Sequence, residues 1–364
     1  MAGVKTGIIG CGNISGIYIK NCLKFENLDL VALADILPER AEKAAAENSL
    51  KACSVDELLA DPEIEIVLNL TIPAVHAAVN TQIIDAGKHA YVEKPLSVTR
   101  ADAAAMMERA EKKNVRVGCA PDTFMGAGIQ TCRKLMDDGA IGDVVGATAF
   151  MMCHGHESWH PDPEFYYQKG GGPMLDMGPY YVTAMVNLIG PVRAVSGMTR
   201  ISFPERTITS EKKNGQTIEV EVPTHVAGLL EFDNQAIGTI ITSFDVWSHR
   251  MPCIEIYGSK GTLRVPDPNT FGGVPELKIG KDGEWQEIEL THDYAQNSRG
   301  IGVSDMADAV RGNGAFRASG TLALHVLDVM ESLHDSARQR TYMDITHQCD
   351  RPEPMPVAAD GGAQ

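Results

Sequence analysis

Short apolar runs alternate with helix-like segments along the first third of the chain. Helical patterns cover residues 14–24, 38–47, 73–86 and 99–112. The apolar runs between them predict five strands, Val4–Ile9, Leu28–Ala34, Ile64–Leu70, His89–Val92 and Val115–Cys119. Strands that alternate with helices are typical of β-α-β units, whose right-handed crossovers build a parallel sheet. Residues 1–121 are therefore predicted to form an α/β Rossmann domain with a doubly wound parallel sheet.

The pattern changes after about residue 120. One helix is predicted over 129–137, and a series of strands follows: Val144–Met152, Val192–Thr199, Thr217–Val222, His225–Phe232, Ile237–Phe244, Ile254–Tyr257 and Trp285–Leu290. Hairpin-like turns join several of them, which predicts an α+β domain over 122–345 with a large, mostly antiparallel open sheet. Helix returns over 306–337 and can pack back on the first domain. Residues 346–364 are predicted to form a tail, mobile from Arg351 onward because that end is rich in Pro, Ala and Gly.

Composition and charge narrow the partners. The net charge of −16 argues against nucleic acid and against an anionic membrane surface, since both are bound by clustered Lys and Arg. No run of 18 apolar residues predicts a membrane span, and the N-terminus has no signal-peptide pattern. None of the eight cysteines forms a Cys-x-x-Cys pair, so a reduced, cytoplasmic setting is expected.

A glycine turn directly follows the first predicted strand and opens the first predicted helix. In Gly10-Cys11-Gly12-Asn13-Ile14-Ser15, Gly10 permits the tight turn and Gly12 lets the backbone approach a pyrophosphate. The helix N-terminus at Asn13 and Ile14 would hold that pyrophosphate through its free N–H groups. Ser15 stands where a third Gly or Ala is usual, and it is small enough for close packing. The turn predicts a dinucleotide site.

Asp35 strengthens that prediction. It ends the second predicted strand, close to the spacing expected for a residue that accepts hydrogen bonds from the adenosine ribose. A carboxylate there would repel a 2′-phosphate, and Ile36 follows it in place of an Arg or Ser. The predicted cofactor is therefore NAD. The alternative is a solvated Asp at a strand end.

Three further segments carry a family resemblance: Thr71-Ile72-Pro73-Ala74-Val75-His76, Glu93-Lys94-Pro95, and the run Gly170-Gly171-Gly172-Pro173-Met174-Leu175-Asp176-Met177-Gly178-Pro179-Tyr180. In this order after a glycine turn, they resemble the glucose–fructose oxidoreductase, inositol dehydrogenase and rhizopine-catabolism family, written Gfo/Idh/MocA. The resemblance extends from Val4 to about Asp344. It implies a Rossmann domain, a second domain whose open sheet forms oligomer contacts, and hydride transfer at a hydroxyl or carbonyl carbon of a sugar or cyclitol. A homo-oligomer is therefore expected.

The resemblance also implies residue roles. Thr71, Pro73 and His76 would lie along the dinucleotide, and Glu93 near the nicotinamide ribose. Lys94 would reach the substrate, which Asp176 and Tyr180 would face from the second domain. Many members carry His where this chain has Tyr180. A Tyr there is similar to the glucose–fructose oxidoreductase and dihydrodiol dehydrogenase branches, some of which use NADP, while Asp35 and Ile36 favour NAD.

The chemistry requires a group that accepts the hydroxyl proton. Lys is a weak candidate at its ordinary pKa of about 10.4, but burial or a neighbouring cation lowers the pKa by several units. Pro95 biases Lys94 towards extended backbone, at the carboxyl edge of a parallel sheet where such folds bind ligands. Asp176 and Tyr180, spaced i, i+4, would share a helix face, one orienting a substrate hydroxyl and the other donating to the reacting oxygen. Without the motif, a surface Lys, an N-cap Asp and a packing Tyr are the alternatives.

The segment His154-Gly155-His156-Glu157-Ser158-Trp159-His160 offers a metal alternative, because a strand would place His154 and His156 on one face. It lacks the His-Glu-x-x-His register, so no metal is expected. Trp159 and His160 are predicted instead to line a sugar pocket, since aromatic faces suit C–H-rich sugar surfaces. Asp122, after the last Rossmann strand, is expected to border the same pocket.

Together these features predict an NAD-dependent oxidoreductase that transfers a hydride between nicotinamide and a secondary alcohol or ketone carbon of a sugar, cyclitol or glycoside. Lys94 would be the acid/base. The first alternative is a non-catalytic, dinucleotide-dependent regulator or binding module on the same fold. The second is an amine- or imine-forming dehydrogenase, or an enzyme whose NAD stays bound between turnovers.

Overall fold

A computed structural model describes residues 3–312 and 316–359. The chain forms two compact units, Met1–Asp122 with Asn297–Leu324, and Thr123–Gln296 with His325–Gln364. Each unit combines two separate stretches of sequence, because the chain returns to the first unit at residue 297 and leaves it after residue 324. Over the described ranges, the helices include none with the length and apolarity needed to cross a membrane.

The first unit contains a six-stranded parallel sheet. Its strands are β1 (Val4–Ile9), β2 (Leu28–Ala34), β3 (Lys51–Cys53), β4 (Ile66–Asn69), β5 (His89–Val92) and β6 (Val117–Cys119). The order β3-β2-β1-β4-β5-β6 places β1 at the centre, where the winding of the sheet reverses. The predicted doubly wound sheet is confirmed. The three-residue β3 was not predicted, because it is too short to show an apolar pattern.

Helices occur in both units. In chain order they are α1 (Ser15–Cys22), α2 (Pro38–Asn48), α3 (Val55–Ala60), α4 (His76–Asp85), α5 (Arg100–Lys113), α6 (Ala127–Asp137), α7 (Pro173–Ile189), α8 (Ile301–Val310) and α9 (Gly320–Gln339). The first five and α8 belong to the first unit, while α6 and α7 belong to the second. All four residues of β4 are buried, as expected for a parallel strand covered on both faces.

The second unit is built on a nine-stranded sheet. Its strands are β7 (Val144–Met152), β8 (Val192–Arg200), β11 (His225–Phe232), β12 (Ile237–Ser243), β13 (Ile254–Gly258), β14 (Gly261–Val265), β15 (Glu276–Ile279), β16 (Gln286–Glu287) and β17 (Met343–Asp344). The order is β16-β15-β14-β13-β7-β12-β11-β8-β17, and a separate ladder joins β9 (Glu205–Thr207) to β10 (Thr217–Glu219). Strands β7 and β12 pair in parallel and the other neighbours antiparallel. The predicted large, mostly antiparallel sheet is confirmed.

The two faces of this sheet differ. A Cβ on Gly197, the cross-strand partner of Gly228, would clash with the backbone carbonyl oxygen of Leu333, so α9 packs against one face at a place that requires glycine. On strands of period 2, Met198, Leu229 and Ile237 project from the opposite face. These three apolar side chains are exposed, Met198 at 79%. The second face therefore carries exposed apolar side chains among polar ones such as Ser196, Glu231 and Thr239.

Two expectations need correction. The predicted strand over 285–290 shrinks to the two residues of β16, followed by one further backbone bond from Ile288 N to the Pro275 carbonyl at 2.9 Å. The predicted mobility of the tail is wrong for residues 351–359, because the backbone is anchored along its length. Arg351 Nη1 donates to Asp137 at 2.8 Å, Met355 N to Gln130 Oε1 at 2.9 Å, and Ala358 N to the Thr291 carbonyl at 3.0 Å. Residues 360–364 lie outside the described residues.

Candidate active site

The glycine turn joins β1 to α1 as predicted from its spacing. Gly10 has φ of 104°, and a Cβ there would lie 2.7 Å from the carbonyl carbon of Leu70, so this position requires glycine. A Cβ on Gly12 would meet no atom within 4 Å, so the space beside the turn is open. Ser15 Oγ donates to the Gly12 carbonyl at 2.7 Å, while Asn13 and Ile14 are exposed. The open turn at a helix N-terminus fits a dinucleotide pyrophosphate.

Asp35 follows β2 and is tied to the same turn. Its Oδ2 accepts a hydrogen bond from Cys11 N at 2.7 Å, and its Oδ1 accepts one from Leu37 N at 2.9 Å. A carboxylate oxygen has a second lone pair, so both oxygens can still accept from ribose hydroxyls. Burial, followed by the charge of Asp35, raises the pKa of the Cys11 thiol to about 11, while the charge of Arg40 acts in the opposite direction. Arg40 is thus a cation close enough to act on this thiol.

The loop after β4 is held by a buried network. Thr71 Oγ1 donates to Asn69 Oδ1 at 2.6 Å, and Asn69 Nδ2 donates to the His76 carbonyl at 3.2 Å. The ring of His76 lies between two backbone carbonyls, with Nδ1 2.7 Å from Pro95 O and Nε2 3.0 Å from Thr71 O. Burial lowers the pKa of His76, and the two carbonyls oppose that effect.

This position of His76 corrects an expectation. The residue is 0% exposed, so its side chain supports the loop from beneath and does not itself meet a dinucleotide. The sequence could not distinguish a residue beneath the loop from one on its surface. Thr71 and Pro73 are half-buried and keep exposed surface, so their predicted contacts with the dinucleotide remain predictions.

The residues after β5 carry the predicted acid/base. Glu93 is nearly buried, with Oε1 accepting from the Tyr18 hydroxyl at 2.7 Å and Oε2 from Lys94 N at 2.9 Å. Burial and the charge of Glu93 raise the pKa of Tyr18, which keeps its phenol a neutral donor. Lys94 is half-buried. Because β1, β4 and β5 are neighbours, the glycine turn, the Thr71 loop and Lys94 share the carboxyl edge of one sheet.

Asp122 occupies a structural position. Its side chain is buried, and its Oδ2 accepts from Gly300 N at 2.8 Å and from Gly302 N at 3.1 Å, at the start of α8. Burial raises its pKa to about 6, and the two backbone bonds oppose that effect. The expectation that Asp122 borders a substrate pocket is replaced by this role as the N-terminal acceptor of α8.

In the second unit, α7 presents Asp176 and Tyr180. The helix begins after Gly172, whose φ of 88° is accessible to glycine, and Asp176 lies in its first turn. The i, i+4 spacing places both residues on one side of the helix, as predicted. The side chain of Asp176 is 17% exposed, and Tyr180 is buried.

A histidine that the sequence left unassigned contacts Asp176. His156 Nε2 lies 3.4 Å from Asp176 Oδ2, and the backbone N of His156 donates to the Tyr167 hydroxyl at 3.3 Å. Its Nδ1 is buried and has no hydrogen-bond partner within the described chain. Strand β7 ends at Met152, so His154 and His156 lie in a loop, and the strand alternation assumed for a metal pair does not apply.

Aromatic rings continue from His156. The ring of Trp159 lies 5.3 Å from that of His156 and 5.3 Å from that of His160, and the ring of Tyr166 lies 4.1 Å from His156. Trp159 is 61% exposed. Trp159 and His160, predicted to line a sugar pocket, are thus grouped around the histidine that contacts Asp176.

A buried ion network holds this loop. Arg206 Nε donates to Glu157 Oε1 at 2.8 Å, and Nη1 donates to Asp245 Oδ1 at 2.9 Å. Glu157 also accepts from the Tyr167 hydroxyl. The carboxylate of Glu157 is therefore engaged in an ion pair with Arg206. Among residues 3–312 and 316–359, no group of three or more His, Cys, Asp or Glu side chains is placed to hold a metal ion.

Two family models match the chain. The model described as an oxidoreductase family with an NAD-binding Rossmann fold matches residues 4–120. The model of the GFO/IDH/MocA C-terminal domain matches residues 129–264. Together they cover more than half of the chain.

Known dehydrogenases are similar over much of their length. Levoglucosan dehydrogenase of Pseudarthrobacter phenanthrenivorans is 24% identical over 64% of this chain and 63% of its own, so the match spans under two thirds of that relative. Myo-inositol 2-dehydrogenase of Thermotoga maritima is 26% identical over 71% of this chain and 74% of its own. The scyllo-inositol 2-dehydrogenase (NADP(+)) of Bacillus subtilis is 22% identical over 94% and 96%.

A solved structure has the same fold. Levoglucosan dehydrogenase in complex with NADH superposes with a TM-score of 0.81 at 20% identity, over 95% of this chain and 100% of the other. At this identity the likeness concerns the fold alone.

Proposed function

This chain belongs to the GFO/IDH/MocA family of oxidoreductases, and on that premise we propose that it is an NAD-dependent dehydrogenase with Lys94 as its acid/base. Its substrate would be a secondary alcohol, or the matching ketone, on a sugar, cyclitol or glycoside. One observation carries the proposal: the glycine turn, Asp35 and the Glu93–Lys94 pair leave the same edge of the parallel sheet.

Lys94 would move the proton. When bound, NAD⁺ supplies the hydride acceptor, and its positive ring also favours the neutral form of a nearby amine. Lys94 is half-buried, and its backbone N–H is fixed by Glu93 Oε2 at 2.9 Å. A neutral amine at this position can accept the proton of a substrate hydroxyl and return it in the reverse direction.

The second unit would hold the substrate. We propose that Asp176 accepts a hydrogen bond from a substrate hydroxyl and that Tyr180 donates to the reacting oxygen. His156, 3.4 Å from Asp176, would fix the direction of that carboxylate. The exposed ring of Trp159, with His160 beside it, suits the C–H-rich face of a sugar.

NAD is the proposed cofactor. The carboxylate of Asp35 is fixed beside the glycine turn by two backbone bonds, where it would accept ribose hydroxyls and repel a 2′-phosphate. The exposed Arg40 favours NADP in principle, and one relative is named for NADP(+). The carboxylate should outweigh the cation, because two backbone bonds fix it at the turn whereas Arg40 is exposed to solvent.

The chain is also proposed to form a homo-oligomer. Met198, Leu229 and Ile237 are exposed apolar side chains on one face of the sheet, and groups of such side chains mark protein contacts. Light scattering should give a mass that is a multiple of 39.3 kDa. A mass near that of one chain would contradict this part of the proposal.

The function is tested by NADH formation. Purified protein with NAD⁺ is screened against hexoses, inositols and methyl glycosides by the absorbance of NADH at 340 nm. The reverse reaction is assayed with NADH and the matching ketones. Amine formation is assayed with NADH, the ketones and ammonia. Turnover of a polyol or glycoside supports the proposal. Tight NADH binding without hydride transfer to any of them would favour the regulator, which has no need of the Lys94, Asp176 and Tyr180 set.

A further inference from the structure

We infer that His76 is a positioning residue for the acid/base loop: its imidazole bridges the backbone carbonyls of Thr71 and Pro95 and so fixes the place of Lys94. This inference rests on the role proposed for Lys94. It assigns to His76 a task different from contact with the dinucleotide.

The geometry is that of a bridge between two loops. The ring is 0% exposed, with Nδ1 2.7 Å from Pro95 O and Nε2 3.0 Å from Thr71 O. Thr71 follows β4 and Pro95 follows β5, so one side chain links the loops of two neighbouring strands. Pro95 is bonded directly to Lys94, so a shift of the Pro95 carbonyl moves the Lys94 backbone with it.

Few side chains can make this bridge. Imidazole places two nitrogens on opposite sides of a rigid ring. A carbonyl oxygen only accepts, so the imidazolium can donate to both carbonyls at once, while the neutral ring, which burial favours, donates to one of them and packs its other nitrogen against the second. The charged groups that act on the ring are Glu93 and Lys94. An apolar side chain of similar size would fill the space and leave both carbonyls without this donor.

The support beneath the ring is rigid. Asn69 and Asn80 are fully buried, and Asn69 Nδ2 donates both to the His76 carbonyl at 3.2 Å and to Asn80 Oδ1 at 2.9 Å. The backbone of His76 is therefore held independently of its ring. Removing the ring should loosen the Pro95 side of the bridge first, because the Thr71 side keeps its bonds to Asn69.

The test compares His76→Leu with His76→Asn, whose Nδ2 takes the position of His76 Nδ1 and keeps the donor to the Pro95 carbonyl. A displacement of about 1 Å at a catalytic group costs roughly 100-fold in rate. We expect single-turnover hydride transfer at saturating substrate to fall roughly 10- to 100-fold in the leucine variant, with the NADH dissociation constant within about threefold. The asparagine variant should recover part of that loss. Asn80→Ala is the matched control, since it removes a buried member of the network without touching either carbonyl.

A second readout does not depend on activity. Hydrogen exchange measured by mass spectrometry should speed up over residues 93–96 in the leucine variant, and not over β1. Should that variant not fold, His76→Asn is compared with His76→Gln, whose terminal nitrogen takes the place of Nε2 beside Thr71 and not of Nδ1 beside Pro95. Residues 93–96 should then exchange faster in the glutamine variant than in the asparagine variant.

Three outcomes would overturn the inference: unchanged exchange over 93–96, wild-type hydride transfer in the leucine variant, or an equal loss of hydride transfer in Asn80→Ala. If the wild-type protein itself transfers no hydride, the proposed function fails. In that case the hydrogen-exchange measurement over residues 93–96 still tests whether His76 holds the Pro95 carbonyl.

Discussion

Removing the buried cation at Arg206 should cost much of the stability of the second unit. The side chain is 4% exposed, and its two carboxylate partners, Glu157 and Asp245, are 9% and 6% exposed. Arg206→Met keeps the length of the side chain but leaves both carboxylates buried without their cation. Protonating one ordinary carboxylate at pH 7 costs about 4 kcal/mol, since its usual pKa is near 4. Breaking a buried pair by removing one partner costs about 3–5 kcal/mol, and we expect a loss in that range.

The assay is chemical denaturation of both proteins, followed by circular dichroism at pH 7. Arg193→Met is the matched control, because Arg193 is 59% exposed in its pair with Glu231. Exposed pairs contribute about 1 kcal/mol or less. If Arg206→Met costs no more than Arg193→Met, the network is not what holds the loop that carries His156, and the argument from burial is wrong.

Three further predictions concern the cofactor, a buried acid and the aromatic surface. Asp35→Ala should weaken NAD binding by roughly tenfold or more, measured by fluorescence titration, and so reduce the preference for NAD over NADP. Arg40→Ala should weaken the binding of NADP but not that of NAD. Tighter binding of NADP than of NAD by the wild type would contradict this prediction. Asp122 has its pKa raised to about 6 from an ordinary 3.8, so the folded state binds the proton more tightly and stability falls as the pH rises from about 4 to about 6. Asp122→Asn keeps one oxygen that can accept from both glycine amides, so the variant should be at least as stable as the wild type at pH 7 and should lack this pH dependence of stability. A free energy of unfolding lower by several kcal/mol in the variant would contradict this prediction. Trp159→Ala should raise KM roughly 3- to 10-fold with a smaller change in kcat and an unchanged melting temperature, because the ring is largely exposed; an equal loss in kcat would place Trp159 nearer the chemistry.

The parallel sheet was predictable because most positions of its buried strands are apolar. Val4–Ile9, Leu28–Ala34 and His89–Val92 coincide with β1, β2 and β5. The glycine turn was equally readable, since Gly10 has a positive φ that its position after a strand requires. The short β3 and β9 carry too few residues for any period to show.

Contacts between distant segments could not be predicted. Asp122 meets amides 178 and 180 residues later in the chain, and no local pattern signals such a contact. His156 reaches Asp176 from a loop that the alternation of residues presented as a strand. His76 is completely buried at the first residue of α4, where no apolar period indicates that a histidine is buried.

Single-turnover hydride transfer in Lys94→Ala tests whether Lys94 is the acid/base. With wild type and variant at matched saturation by NAD⁺ and substrate, we expect a rate lower by roughly 100- to 10,000-fold in the variant, the usual contribution of general acid–base catalysis, with NAD binding within a fewfold. Lys94→Arg should not recover the rate, because a guanidinium does not lose its proton near neutral pH. Equal rates in wild type and Lys94→Ala would show that another group moves the proton.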